Sequence, residues 1–191
     1  MAEQTKRRGR PRQLETDARV LAAAADLLRE KGPAGVTIEA VAVRSGVART
    51  TIYRRFDSRG ELIAAVTGSL VDRPLPPPEL PLESKVRWAL DQVAAILDDG
   101  LGRGGVAAVI ADTDPEFSVV LRQALGRRLE DLREQIQADM DHGVVAAQFD
   151  PNAVVSLLLG VHLGEVLRAG TPRRGWDDRV VDLVAHALRP T

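Results

Sequence analysis

TIEAVAVRSGVARTTIYRRFDSRGE, residues 37–61, is the stretch that decides how the chain is read. It scans as a short helix, a tight turn, a second helix and the capped start of a third. Thr37 is placed to cap the first helix, and Glu39 lies in its first turn, where the positive end of the helix dipole favours a carboxylate. Ile38, Val41, Ala42 and Ser45 recur at the spacing of one helix face, so the apolar ones should turn inward. Gly46 then ends the helix, because a corner this sharp needs positive φ and glycine takes it without strain. Val47 can plug the corner, and Ile52 and Phe56, one turn apart, give the second helix its buried side.

Ala42, Gly46 and Ile52 together form the small–glycine–β-branched skeleton of a helix-turn-helix. The opposite face of the second helix carries Arg49, Thr50, Tyr53 and Arg54, with Thr51 partly on the same side. An α-helix fits the major groove of duplex DNA, and a bidentate arginine is the commonest base-specific contact there. The same corner also occurs in ordinary helical bundles. What favours DNA is the outward set of Arg, Thr, Tyr and Arg.

The run Thr51-Ile52-Tyr53-Arg54-Arg55-Phe56, followed by Asp57-Ser58-Arg59 and Glu61-Leu62, resembles the DNA-binding signature of the TetR (tetracycline-repressor-like) family of bacterial regulators. That signature reads T-[IL]-Y-x-[HYR]-F-x-[ST]-K-x-x-L after A-x-x-[AS]-G-[VI]. The resemblance covers Ala18 to Val66 in detail and the rest in helix count and length. Two positions depart from it. Ala48 stands where Ser or Thr commonly caps the recognition helix, and Arg59 replaces the usual Lys while keeping its charge. The resemblance implies that Arg49 and Thr50 read base edges, that Tyr53, Arg54 and Arg59 bind phosphates, and that Thr37 assists through its helix N-terminus.

Charge is distributed to match. The formal net charge is −1, yet residues 1–60 hold 13 of the 26 Lys and Arg and 7 of the 27 Asp and Glu. A basic first third on an acidic remainder suits one end that meets a polyanion. Residues 1–13 are polar and basic and are expected to be a disordered arm. Its kernel, Arg8-Gly9-Arg10-Pro11-Arg12, looks like an AT-hook that enters a narrow minor groove, or else like a plain arm adding phosphate contacts. Zero cysteines exclude disulfides and thiolate chemistry. No apolar run reads as a membrane span and no secretory signal is apparent, so a cytoplasmic protein is expected.

The whole chain reads as all-α, with about nine helices and no alternating strand pattern. The expected division is an arm (1–13), a helix-turn-helix domain with a linking helix (14–72), a Pro-rich linker (73–81) and a helical effector-binding and dimerisation domain (82–191). The first helix is expected over 16–31, with Arg19, Asp26, Arg29 and Glu30 around its outer face. Ser58-x-x-Glu61 is a capping box opening the fourth helix, and Asp114-Pro115 and Asp150-Pro151 open the seventh and eighth. The eighth is apolar nearly all round and carries Gly160 and Gly164, which admit a close second helix. Family resemblance makes that helix and the ninth the seam of a twofold homodimer, which suits a palindromic operator; the alternative is the central helix of a monomer core.

Gly100-x-Gly102-x-x-Gly105 matches a dinucleotide fingerprint literally but lacks a βαβ setting, so it reads as a flexible interhelical loop. The three histidines have no ligand spacing, no nucleophile constellation is present, and neither a cofactor nor an enzymatic activity is expected. The resemblance implies a ligand pocket among helices four to eight, for which Trp88, Phe117 and His162 are the candidates. His162, in an apolar helix, reads first as a hydrogen-bonded core or interface residue and second as a polar anchor in the pocket. Aromatic residues make up 3% of the chain, so the pocket should be aliphatic and its effector small and apolar or amphipathic. The expectation is therefore a ligand-responsive regulator, a repressor released from duplex operator DNA by a small molecule. The alternative is an architectural DNA-binding protein without an effector.

Overall fold

Local capping chemistry sets the helix starts. Thr37 Oγ1 accepts from the Ala40 amide at 3.1 Å, Asp114 Oδ1 from Phe117 at 3.1 Å, and Asp150 Oδ1 from Asn152 at 2.9 Å. Gly46 adopts φ 67 and ψ 19 and its amide returns to Ala42 O, the left-handed stop expected of it. At the capping box Ser58 Oγ accepts from the Glu61 amide, while Glu61 reaches back to the Asp57 amide, one residue earlier than the usual reciprocal bond.

The computed structural model describes residues 10–170 and 176–190, with side chains from Gln13 onward. The helices are α1 (Arg10–Lys31), α2 (Ile38–Ser45), α3 (Arg49–Tyr53), α4 (Arg59–Val71), α5 (Leu82–Ala94), α6 (Gly102–Ala111), α7 (Pro115–Asp141), α8 (Pro151–Ala169) and α9 (Trp176–Leu188). A 3-10 turn occupies Pro33–Gly35, and a π-helical segment, Ala95–Leu101, joins α5 to α6. Among the described residues there is no strand. Helix α1 begins at Arg10, ahead of its expected start, because Pro11 is tolerated in a first turn where no intrahelical amide bond is required.

Packing divides the chain into two units, one of residues 1–70 and 98–122 and one of 71–97 and 123–191. The first is centred on Val20, Leu27, Leu28, Val41, Ile52, Leu62 and Phe117, all at most 2% exposed. It includes α6, which packs against α1 through the glycines expected to form a loop. A Cβ on Gly102, at φ +62, would lie 2.6 Å from the Arg29 carbonyl oxygen, and one on Gly104 would lie 3.1 Å from the Gly32 nitrogen. The glycines serve close backbone approach, which overrides their poor helix propensity.

The second unit packs α5 against α8 and α9 around Val86, Leu90, Ile136, Met140, Leu158, Val181, Val184 and Leu188. The segment expected to be a linker belongs to this unit. Pro76 is buried and its carbonyl accepts from Gln135 Nε2 at 2.9 Å. Lys85 and Asp139 form a buried pair at 2.6 Å joining α5 to α7. Helix α8, apolar all round in sequence, leaves Leu157, Leu159 and Leu167 exposed, and a Cβ on Gly160 or Gly164 would meet open space. By length and composition alone it passes for a membrane span, contrary to expectation, although it also carries His162, Glu165 and Arg168.

Candidate nucleic-acid interface

The Gly46 corner is held from behind by α1. Arg19 Nη2 donates to the Ser45 carbonyl at 2.5 Å, and the same nitrogen lies 3.2 Å from where a Gly46 Cβ would sit. Arg55, just past α3, pairs with Asp17 of α1 at 2.5 Å. Arg44 of α2 forks onto both carboxylate oxygens of Glu30 at 3.0 and 2.8 Å, holding the Glu30 carboxyl below its ordinary range. Arg19 and Glu30, expected on the outer face of α1, therefore tie it to the helix-turn-helix. Helical periodicity gave no signal for this, since each partner lies more than ten residues away.

With its back fixed, α3 presents the expected face. Ile52 and Phe56 are buried, while Arg49, Thr50, Tyr53 and Arg54 are exposed and Thr51 is half-buried. The Arg49 side chain is 64% exposed and its Nη1 is 3.8 Å from Glu39 Oε1, a contact too long to hold it. Tyr53 is half exposed despite its apolar ring. Ala48 opens α3 with no side-chain cap, as its chemistry dictates. The Thr37 oxygen is taken by Ala40, but its O–H can still donate to a phosphate. Arg10 and Arg12 stand in the first turn of α1 and not in an extended arm, while their side chains, and Arg8 altogether, lie outside the described residues.

Arg59 departs from expectation. Its Nε donates to Val36 O at 3.0 Å, Nη2 to Pro33 O at 2.7 Å and to Asp114 at 2.6 Å, and Nη1 to Glu116 at 2.7 Å. Burial weakens the charged guanidinium, but the bonds to Asp114 and Glu116 outweigh it and raise its pKa. Burial likewise works against the Asp114 carboxylate, yet Arg59 and the Phe117 amide hold its pKa below the ordinary value. A guanidinium facing two carboxylates and two carbonyls is a poor phosphate ligand. It staples the turn before α2, the start of α4 and the start of α7 together. A Gly60 Cβ would meet Glu116 Oε1 at 2.5 Å, the far end of a half-exposed side chain that can swing aside.

The three ligand candidates separate. Phe117 is fully buried and belongs to the first unit, because the N-terminal part of α7 packs there, so it is not a pocket residue of the second. His162 is buried edge-on against Trp176 at 6.1 Å, a core position. Trp88 does line a cavity of about 40 Å³ in the second unit, with Leu82, Val86, Leu132, Ile136 and Leu158. The polar groups in its wall are the Lys85–Asp139 pair and Gln135, whose Oε1 is buried without a hydrogen-bond partner. Arg128 stacks on Trp88, 5.4 Å from the ring centroid.

A family model described as "Bacterial regulatory proteins, tetR family" matches residues 20–66, the span of the locked corner and its flanking helices. The HTH-type transcriptional regulator YdeS of Bacillus subtilis is 38% identical over 192 residues, covering 96% of this chain and 93% of that protein. An HTH-type regulator of Mycobacterium tuberculosis (strain H37Rv) is 31% identical over 169 residues, covering 84% and 73%. Among solved structures, Salmonella enterica GusR has the same fold at a TM-score of 0.66 and 18% identity over 92% of this chain and 96% of its own. So does FadR of Bacillus subtilis, determined with stearoyl-CoA, at 0.65 and 13% over 90% and 99%. Residues that build a braced recognition helix coincide with the part of the chain that the family model matches, and the likeness to YdeS runs through both units: the chain belongs to the TetR family of DNA-binding bacterial transcriptional regulators.

Proposed function

We propose that the chain acts as a homodimeric repressor in the cytoplasm, binding a palindromic operator and released from it by a small apolar or amphipathic effector. The observation that carries the DNA part is the exposed Arg49, Thr50, Tyr53 and Arg54 face on a helix fixed through Arg19, Arg55 and Arg44. Arg49 and Thr50 reach base edges, with Thr51 at the margin. Tyr53, Arg54 and Thr37 take phosphates, and Arg8, Arg10 and Arg12 add minor-groove or backbone contacts. Arg59 serves as a brace in this reading and not as a contact.

The homodimer is supported by α8 and α9. Leu157, Leu159 and Leu167 on α8 and Leu183 on α9 are exposed, and Gly160 and Gly164 leave room for an approaching helix. Apolar exposure of this kind calls for a covering surface, and a second copy supplies one along with a second reading head. The apolar cavity lined by Trp88 supports the effector part. An effector binding better to a conformation with wrongly spaced heads shifts the population away from DNA.

The test is a gel shift on the intergenic DNA upstream of the protein's own gene, with fractions of cell extract added to find a releasing molecule. Arg49→Ala should weaken specific binding by about 1–3 kcal/mol and relax base preference. Unchanged affinity for the operator in that variant would remove Arg49 from the interface. Equal binding to unrelated DNA would favour the architectural reading.

A further inference from the structure

We infer that the cavity of the second unit takes a small apolar molecule bearing a carboxylate, with Arg128 as the partner of the charged end; this rests on the effector reading above. The cavity wall is aliphatic, and its own charges cancel, because Lys85 already holds Asp139 at 2.6 Å. The charge beside it that is not cancelled is Arg128. Its Nη2 is buried with no hydrogen-bond acceptor, and the guanidinium rests on Trp88, a cavity wall. Leu132, one helical turn beyond Arg128 on α7, lines the same cavity.

The electrostatics agree. Burial lowers the Arg128 pKa, and the charges of Asp131 and Asp72 offset this only in part. A half-buried guanidinium with a donor unused gains most from an incoming anion, and a planar carboxylate matches its fork. The polarity of the ligand follows: apolar body toward Leu82, Val86, Ile136 and Leu158, carboxylate toward Arg128 at Trp88. A cavity of about 40 Å³ holds no more than a few water-sized groups, so its walls must move apart to admit even a short chain or a small ring.

The experiment titrates the full-length protein with hexanoate and with its uncharged counterpart hexanamide, read by calorimetry and by tryptophan fluorescence. Hexanoate should bind at least tenfold more tightly than hexanamide, the lower end of what a charge-assisted hydrogen bond contributes. Arg128→Gln should abolish that preference without weakening hexanamide binding, and Arg128→Lys, which keeps the charge but not the fork, should retain only part of it. Equal binding of the two probes, or a preference that survives Arg128→Gln, overturns the assignment while leaving an effector cavity in place. Binding of neither probe overturns it too. If no extract fraction then releases operator DNA, the effector reading falls with it.

Discussion

Replacing Arg59 by Ala separates a brace from a DNA contact. The wild-type guanidinium makes two carbonyl bonds and two ion pairs within the first unit. The Glu116 side chain is 52% exposed, so that pair contributes close to nothing after solvent screening. Asp114 is 17% exposed and keeps its bond to the Phe117 amide, so losing Arg59 there costs about 1 kcal/mol. Pro33 O retains the Val36 amide as a donor, and the two lost carbonyl bonds together add about 1 kcal/mol. The total, about 2 kcal/mol, corresponds to a fall in Tm of about 4–8 °C for a protein of this size. Chemical denaturation of Arg59→Ala, Asp114→Ala and the double variant should return a coupling energy of about 1 kcal/mol. The salt dependence of operator binding should keep its slope, whereas a lost phosphate contact would lower it by about 0.9. Stability within about 0.5 kcal/mol of wild type, together with a reduced slope, would refute the brace and restore Arg59 to the DNA.

Other outcomes follow from the same geometry. The Asp114 carboxyl is held below its ordinary value, so its contribution is full above about pH 4 and disappears as pH falls through the lowered value. Acid denaturation of Asp114→Asn should therefore lack one component of the wild-type loss. Asp139→Asn leaves Lys85 buried and uncompensated and should cost about 3–5 kcal/mol in urea denaturation, while Lys85→Met with Asp139→Leu should restore most of it. Gly102→Ala, at positive φ and against a backbone oxygen, should cost at least about 2 kcal/mol. Gly126→Ala, mid-helix with open space around it, should stabilise by about 0.5–1 kcal/mol, and a loss there by thermal melt would contradict the open surroundings.

What the sequence made legible was local. Thr37, Asp114 and Asp150 each bond an amide two or three residues on, so their caps are written in adjacent positions. The Gly46 corner and the alternation of Ile52 and Phe56 with Arg49 and Tyr53 are equally short-range. What stayed hidden depends on partners distant in the chain. Arg59 meets residues 55 and 57 positions later, and Lys85 meets one 54 positions later. Residues 100–105 were expected to be a loop because their glycine fingerprint lacks a βαβ setting, and the reason for glycine there, the backbone of Arg29 and Gly32, was not visible. Phe117 was placed by its order along the chain, but α7 lends its first turns to the other unit.

Because the first unit is assembled from residues 1–70 and 98–122, its parts leave the ribosome at separate times. Arg59 waits for Asp114 and Glu116, and the end of α1 waits for Gly102 and Gly104. A nascent chain stalled before residue 116, or a proteolytic remnant lacking α6, therefore carries the basic reading surface on an unfinished support. Synthesis order thus delays completion of the DNA-binding head until much of the rest of the polypeptide exists.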